Sequence, residues 1–359
     1  MKVGIVTQPL FKNYGGILQN WALQQAIKSL GHDVVTIDGY RYPMWRYTLS
    51  CVKTLFERLA NKQATYPVRP IKGRALHPLM RHFIDTNIEL TNPQSGFNSS
   101  VVKEYGLEAV VVGSDQVWRP KYNKQLSSMY LDFVDNHYRK IAYSASFGVD
   151  EWEYNEELTS TCSRLSKLFD AISVREASGV TLCNNYLGVT AEHVLDPTLL
   201  LPSERYEALC AQEKVEKKPF IAVYCLDIDE EKQRLFNEYS SNKGVEVRFF
   251  SAHNDISLTL EQWLATYRDA TAVITDSFHG TVFSIIFRKP FYTITNKGRG
   301  ETRMLSLLEE FGLTDRIANE DNIRNDINID WNAVEKIIEH KKNHSMKFLE
   351  TALSCDTIS

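Results

Sequence analysis

The feature that most restricts the fold is a series of short apolar runs, each closed by glycine or polar residues and followed by a stretch of helical periodicity. Lys2–Thr7, Asp33–Ile37, Ala109–Val112, Lys140–Ser144 and Ala171–Val174 are of this kind, as are Phe220–Tyr224, Glu246–Phe250, Ala272–Thr275 and Pro290–Ile294. Runs this short suit strands buried on both faces, the condition of a parallel sheet covered by crossover helices. The first unit shows the pattern: a strand, a loop over Phe11–Gly16, and a helix over Ile17–Leu30 with Ile17, Trp21, Ala22, Ala26 and Leu30 on one face. Gly31 stops that helix before the second strand. Later helices are expected over 229–243, 258–268 and 280–287, and a long one over 331–354.

A chain of 359 residues passes the size at which one hydrophobic core stops growing, so two α/β domains are predicted. The break is placed near Leu200, where Asp196-Pro197-Thr198-Leu199-Leu200-Leu201-Pro202 precedes the charged segment Glu213–Lys218. That gives domains over 1–203 and 204–330, with the final helix crossing back to the first.

No stretch approaches the roughly 18 apolar residues of a membrane span. The opening run breaks at Gln8-Pro9, too soon for a signal sequence. The six cysteines (51, 162, 183, 210, 225 and 355) are scattered, with no CxxC pair and no histidine at ligand spacing. Neither a disulfide framework nor a metal site is expected, and a reducing cytoplasm fits best. The formal charge is −4, yet 40–82 carries nine Lys/Arg against the single acid Glu57, together with Tyr42, Trp45, Tyr47 and Phe56. This mixture suits an anionic surface such as lipid headgroups or a lipid-linked diphosphate at the inner face of the cell membrane; a solvated insertion with its side-chain stems packed on the domain is the plainer reading of the same composition.

The sharpest chemical signal is Val273-Ile274-Thr275-Asp276-Ser277-Phe278-His279-Gly280-Thr281, a strand ending in polar residues where a helix begins. In open α/β sheets ligands bind outside the carboxyl ends of strands, and a helix N-terminus favours an anion. His279 at that mouth is a candidate proton donor or hydrogen-bond donor, or else a capping or core histidine; Asp276 and Ser277 also suit caps. Asn13-Tyr14-Gly15-Gly16 reads as a ligand loop or a plain strand-to-helix turn. Gly113-Ser114-Asp115-Gln116-Val117-Trp118 offers a sugar platform, or a cap with Trp118 in the core. Arg175-Glu176 reads first as a structural ion pair.

Taken in order, Asn13–Gln19 (NYGGILQ), Gly113–Trp118 (GSDQVW), Ser173–Glu176 (SVRE), Asp196–Leu201 (DPTLLL) and Ser277–Gly280 (SFHG) resemble the polysaccharide pyruvyl transferase family over nearly all of 1–300. The resemblance implies two Rossmann-like lobes in a B-type glycosyltransferase-like architecture, with parallel sheets and the active site in the interlobe cleft. It implies transfer of a pyruvyl group from phosphoenolpyruvate to a sugar of a cell-surface polysaccharide or its lipid-linked precursor, forming a ketal, with phosphoenolpyruvate as co-substrate and no cofactor.

By the same resemblance the donor is bound by Ser277, Phe278 and His279 of the second lobe and by Arg175 across the cleft, with Arg299 or Lys297 as a further basic residue. The first lobe takes the acceptor glycan through Asn13, Tyr14, Gly15, Gly16, Gln19, Ser114, Asp115 and Trp118. His279 and Asp115 are the expected catalytic pair, acid and base, and no nucleic-acid partner is expected. Two rivals stand beside this reading. One is a nucleotide-sugar glycosyltransferase using Glu301 and Glu309, and the other a non-catalytic glycan-assembly protein.

Overall fold

The computed structural model describes residues 1–60, 62, 64–214, 218–250, 256–295, 301–318 and 328–354. The parallel-sheet lobes expected from the sequence are present. A six-stranded sheet is built from β1 (Lys2–Val6), β2 (Asp33–Thr36), β3 (Ala109–Val112), β4 (Arg139–Ala145), β5 (Ala171–Val174) and β6 (Glu192–His193) in the order β2-β1-β3-β4-β5-β6. A four-stranded sheet follows from β7 (Phe220–Tyr224), β8 (Glu246–Phe249), β9 (Ala272–Thr275) and β10 (Phe291–Thr293) in the order β10-β9-β7-β8. Every adjacent pair is parallel.

The helices are α1 (Tyr14–Ser29), α2 (Met44–Leu59), α3 (Pro78–Asn87), α4 (Ser99–Glu104), α5 (Glu156–Ser166), α6 (Ala177–Leu182), α7 (Ser203–Leu209), α8 (Glu230–Lys243), α9 (Leu260–Asp269), α10 (Phe278–Ile286), α11 (Glu301–Glu310) and α12 (Trp331–Leu353). Two of them start earlier than periodicity suggests. Asn13 accepts the Gly16 N–H at 3.2 Å, so the Tyr14-Gly15-Gly16 segment is the first turn of α1 rather than a loop. Ser277 caps α10 in the same way, drawing Phe278 and His279 into its first turn.

One apolar core runs from β1 and α1 through Leu199, Leu200 and Tyr206 to α9, α10 and α12. Tyr14 of α1 stacks on Trp263 of α9 at 5.4 Å and donates to the Leu258 carbonyl at 2.7 Å, tying the first helix to the second sheet's layer. Along α12, Ser345 Oγ accepts the Leu195 N–H at 3.0 Å, Phe348 meets Tyr143, and the Ala352 carbonyl accepts from Arg139 at 3.0 Å. The last long helix therefore lies against the first sheet.

Helix α2 departs from the usual pattern. Its Met44, Trp45, Leu49, Val52, Leu55, Phe56 and Leu59 are all exposed, while the polar Thr54 is its one buried residue and Ser50 meets Tyr42 at 3.2 Å. No described helix is long and apolar enough to cross a membrane.

Candidate active site

Strand order reverses between β1 and β3 in one sheet and between β7 and β9 in the other. Ligands of open parallel sheets bind outside the carboxyl ends at such reversals, and here both reversals open on one cleft of about 320 Å³. Lys12 and Asn13 reach it after β1, Asp115 and Gln116 after β3, Leu226 after β7, Asp276 to His279 after β9, and Glu301 and Arg303 from α11.

The N-terminus of α10 faces this cleft, bringing its unshared first-turn N–H groups and the positive end of its dipole. Gly280 is required for that placement, since a Cβ there would sit 2.1 Å from Thr275 Oγ1. His279 packs directly over the first turn of α1: a Cβ at Gly15 would lie 2.1 Å from its Nδ1. Two helix N-termini, one from each lobe, thus meet at the imidazole.

The other ring nitrogen, Nε2, lies 3.6 Å from Asp196 Oδ2, an ion-pair rather than a hydrogen-bond distance. Asp196 is held in turn by Thr198, whose N–H and hydroxyl reach Oδ1 at 3.0 and 2.6 Å, and by Arg175 Nη1 at 3.0 Å. Burial alone would raise the Asp196 carboxyl; His279, Arg175 and Thr198 together outweigh it and hold the group well below the usual carboxylate range.

Arg175 reaches a second carboxylate as well, Asp115, at 3.0 Å, and Arg303 meets the same Asp115 oxygen at 3.2 Å. Both guanidinium groups also lie over the Phe278 ring, at 4.4 and 5.4 Å. Burial pushes Asp115 up, but the two arginines bring it below its ordinary value. Arg303 feels the converse: burial, then the neighbouring Arg175, push it down to about 10, and the opposing pull of Asp115 and Glu176 does not offset them.

Of the expected donor residues, Ser277, Phe278 and His279 line the cleft. Arg175 does not: its side chain is 1% exposed and both terminal nitrogens are committed to aspartates. Lys297 and Arg299 lie outside the described residues. On the acceptor side, Asn13 and Asp115 line the cleft, Gly15 floors His279, and Gly16 sits in the first turn of α1.

Four acceptor assignments are corrected by burial. Tyr14 is stacked against Trp263. Gln19 binds Thr7, the Gly16 carbonyl and the Ser114 N–H. Ser114 donates to the Ser144 carbonyl. Trp118 is fully buried, stacked on Tyr130 at 4.8 Å, with its indole N–H on the Met129 carbonyl. Each turns into the protein, where its polar atoms find backbone or side-chain partners, and is buried out of reach of a sugar.

Sequence reasoning missed Arg303 and Asp196 as site residues. Arg303 belongs to an amphipathic helix whose charges read as solvated, and nothing local marks it. Asp196 did carry a signal, the Asp-Pro-Thr of a capped turn, which the structure turns toward His279.

Residues 13–298 match the polysaccharide pyruvyl transferase family. The chain belongs to that family. No curated protein matches it closely enough to add a relative. Among solved structures this pyruvyl transferase family member is similar to the Methanocaldococcus jannaschii UDP-GlcNAc 2-epimerase, with 13% identity over 90% of this chain and 98% of that one and a TM-score of 0.42. It is also similar to S. aureus MnaA, with 11% identity over 96% and 90% and a TM-score of 0.45. An alpha-glucosyltransferase in complex with UDP and DNA gives 8% identity over 97% and 95%, with a TM-score of 0.47. Likenesses this remote carry no argument about what the chain acts on. Its two lobes of parallel sheet with a shared cleft are the B-type glycosyltransferase-like arrangement that the family motifs imply.

Proposed function

We propose that this chain transfers the pyruvyl group of phosphoenolpyruvate to two hydroxyls of a sugar, in a cell-surface polysaccharide or its lipid-linked precursor, and releases phosphate. The observation that supports this most is the placement of Arg303, on Asp115 and over Phe278, in a cleft that also receives the N-terminus of α10. A guanidinium at the cleft wall beside a helix N-terminus suits a small, highly charged anion, and the donor brings both a carboxylate and a phosphate.

In this reading Arg303 and the first turn of α10 hold the donor, and His279 binds the phosphate and protonates it as it leaves. Asp196 orients the ring and balances an imidazolium. Asp115, engaged by two guanidinium groups, is a positioning counter-ion and a weak base. Asp276 is taken up by Lys232 and two backbone N–H groups. Glu301 is then the carboxylate of the cleft that accepts the hydroxyl proton.

The overall step balances. The two hydroxyl oxygens form the ketal carbon–oxygen bonds, the carbon–oxygen bond to phosphate breaks, and the two hydroxyl protons end on the new methyl group and on phosphate. Neither an oxidant nor a metal is consumed. Among the described residues no group of three or more His, Cys, Asp or Glu side chains is gathered as a metal site.

The test is incubation with phosphoenolpyruvate and a panel of lipid-linked and aryl saccharides, following phosphate release and the mass of the product. Acceptor-dependent phosphate release with a pyruvylated sugar is expected. Absence of release from phosphoenolpyruvate, alongside turnover of a nucleotide sugar, would replace this reading with the glycosyltransferase one; Glu309, its proposed second carboxylate, is exposed and does not line the cleft.

A further inference from the structure

Helix α2 is mounted with its apolar side outward. At 100° per residue its exposed apolar side chains fall within a sector of about 140°, interrupted only by Thr48. Ser50, Thr54 and Glu57 occupy the side turned to the protein. An amphipathic surface helix of a globular protein does the reverse, and leaving Phe56 66% and Leu59 73% exposed carries a free-energy cost that only a covering partner removes.

The edges of the sector say which partner. Arg46 and Lys53 flank it on one side and Arg58 on the other, all exposed, and Arg69 and Lys72 lie exposed in the segment that follows. A second protein chain would want an apolar patch rimmed by mixed charge. An apolar stripe bordered by cations, with Trp45 at one end, is what lies in the headgroup layer of an anionic bilayer.

We infer that α2 is a membrane-surface helix, seated in the headgroup region of an anionic lipid bilayer. Its position also bears on the acceptor. Trp45 and Arg46 of α2 line a groove with Tyr40, Phe97 and Tyr122, and Tyr122 and Pro9 belong to both that groove and the cleft. On the functional reading above, a saccharide anchored in the bilayer reaches His279 along this groove, its rings passing aromatic side chains.

The experiment is sedimentation of the full chain with vesicles of phosphatidylglycerol and phosphatidylcholine, against phosphatidylcholine alone, at low and high salt. The variants are Phe56→Ser/Leu59→Ser and Arg46→Gln/Lys53→Gln/Arg58→Gln. All five side chains are exposed, and circular dichroism checks the fold. The wild type is expected to bind the anionic vesicles and to be released by salt, since screening shortens the attraction to a Debye length of about 8 Å at physiological ionic strength. The serine pair is expected to cut partitioning at least about tenfold, and the glutamine triple to remove the salt dependence.

No binding by the wild type, or binding unaltered in the serine pair, overturns the inference. So does a dimer that dissociates only in the serine pair and ignores vesicles. Turnover separates the two readings: the serine pair is expected to match the wild type on a soluble aryl saccharide and to fall behind on one embedded in vesicles. Vesicle binding without turnover on any acceptor would sink the pyruvyl-transfer reading and leave the membrane helix standing.

Discussion

Asp115 and Asp276 stand in matching places, each just beyond the central strand of its sheet at the reversal of strand order, and the two lobes use them differently. Asp276 is closed off: Lys232 Nζ meets it at 2.7 Å and the N–H groups of Leu226 and Asp227 at 2.6 and 3.3 Å. One charge meets one charge, and the result pins the loop after β7. Asp115 is shared by Arg175 and Arg303, and Arg175 must serve Asp196 as well. The first lobe thereby supports a cation at the cleft wall, whereas the second neutralises its own. Local position in the fold is the same; the number of partners decides which aspartate is scaffold and which is part of a site.

The strongest attempt to break this contrast is Arg175→Ala, which leaves Asp115 and Asp196 buried with too few partners. A loss of about 3–5 kcal/mol in denaturant unfolding is expected; a loss below about 1 kcal/mol would mean the aspartates find other company. Arg303→Ala should separate chemistry from stability, lowering turnover of phosphoenolpyruvate by roughly 10²–10³-fold while the unfolding midpoint barely moves, because Asp115 keeps Arg175. A large fall in both would make Arg303 structural as well. Gly15→Ala forces the imidazole off its floor and out of its present register with Asp196, and a displaced group of this kind loses about 10²-fold in kcat; unchanged kcat would show that His279 works from another position.

In the second lobe, Lys232→Met should cost about 2 kcal/mol of stability and reduce turnover of the folded protein far less than Arg303→Ala. Equal effects on turnover would erase the distinction between the lobes. The smallest expected effect is with pH. The Asp115 carboxyl is lower in the folded chain than in the unfolded one, so its contribution is fully present above about pH 4, the unfolded carboxylate value, and is lost as pH falls. Asp115→Asn should flatten the acid limb of the stability curve by at most about 1.4 kcal/mol per pH unit.

The sheet strands were legible because burial on both faces leaves a continuous apolar run: Ala109–Val112, Ala171–Val174, Phe220–Tyr224 and Ala272–Thr275 appear with the same ends in sequence and structure. The final helix α12 starts at the expected Trp331 and ends one residue short of the expected bound, at Leu353. The first turns of α1 and α10 were not, since Tyr14-Gly15-Gly16 and Phe278 sit where glycine and aromatic residues obscure a helix that Asn13 and Ser277 begin.

The location of the cleft followed from strand ends; the direction of side chains did not. Trp118 carries the same letters whether it faces a sugar or Tyr130, and only packing around β3 and β4 turns it inward. Arg303 joins the cleft through tertiary packing of α11, which no local pattern records. The outward apolar face of α2 is of a third kind: its composition was readable, and which way it faced was not.

The bond from Ser345 to the Leu195 N–H has a consequence in time. It fixes the residue immediately before Asp196, and Asp196 stands beside His279, so this pair is braced by a helix translated well after every described residue of the cleft. A nascent chain paused before Trp331 would hold all the chemical groups of the site and still lack the brace on the Asp196 turn. The turn that carries Asp196 is thus completed last, although its other partners, Thr198 and Arg175, come earlier in the chain.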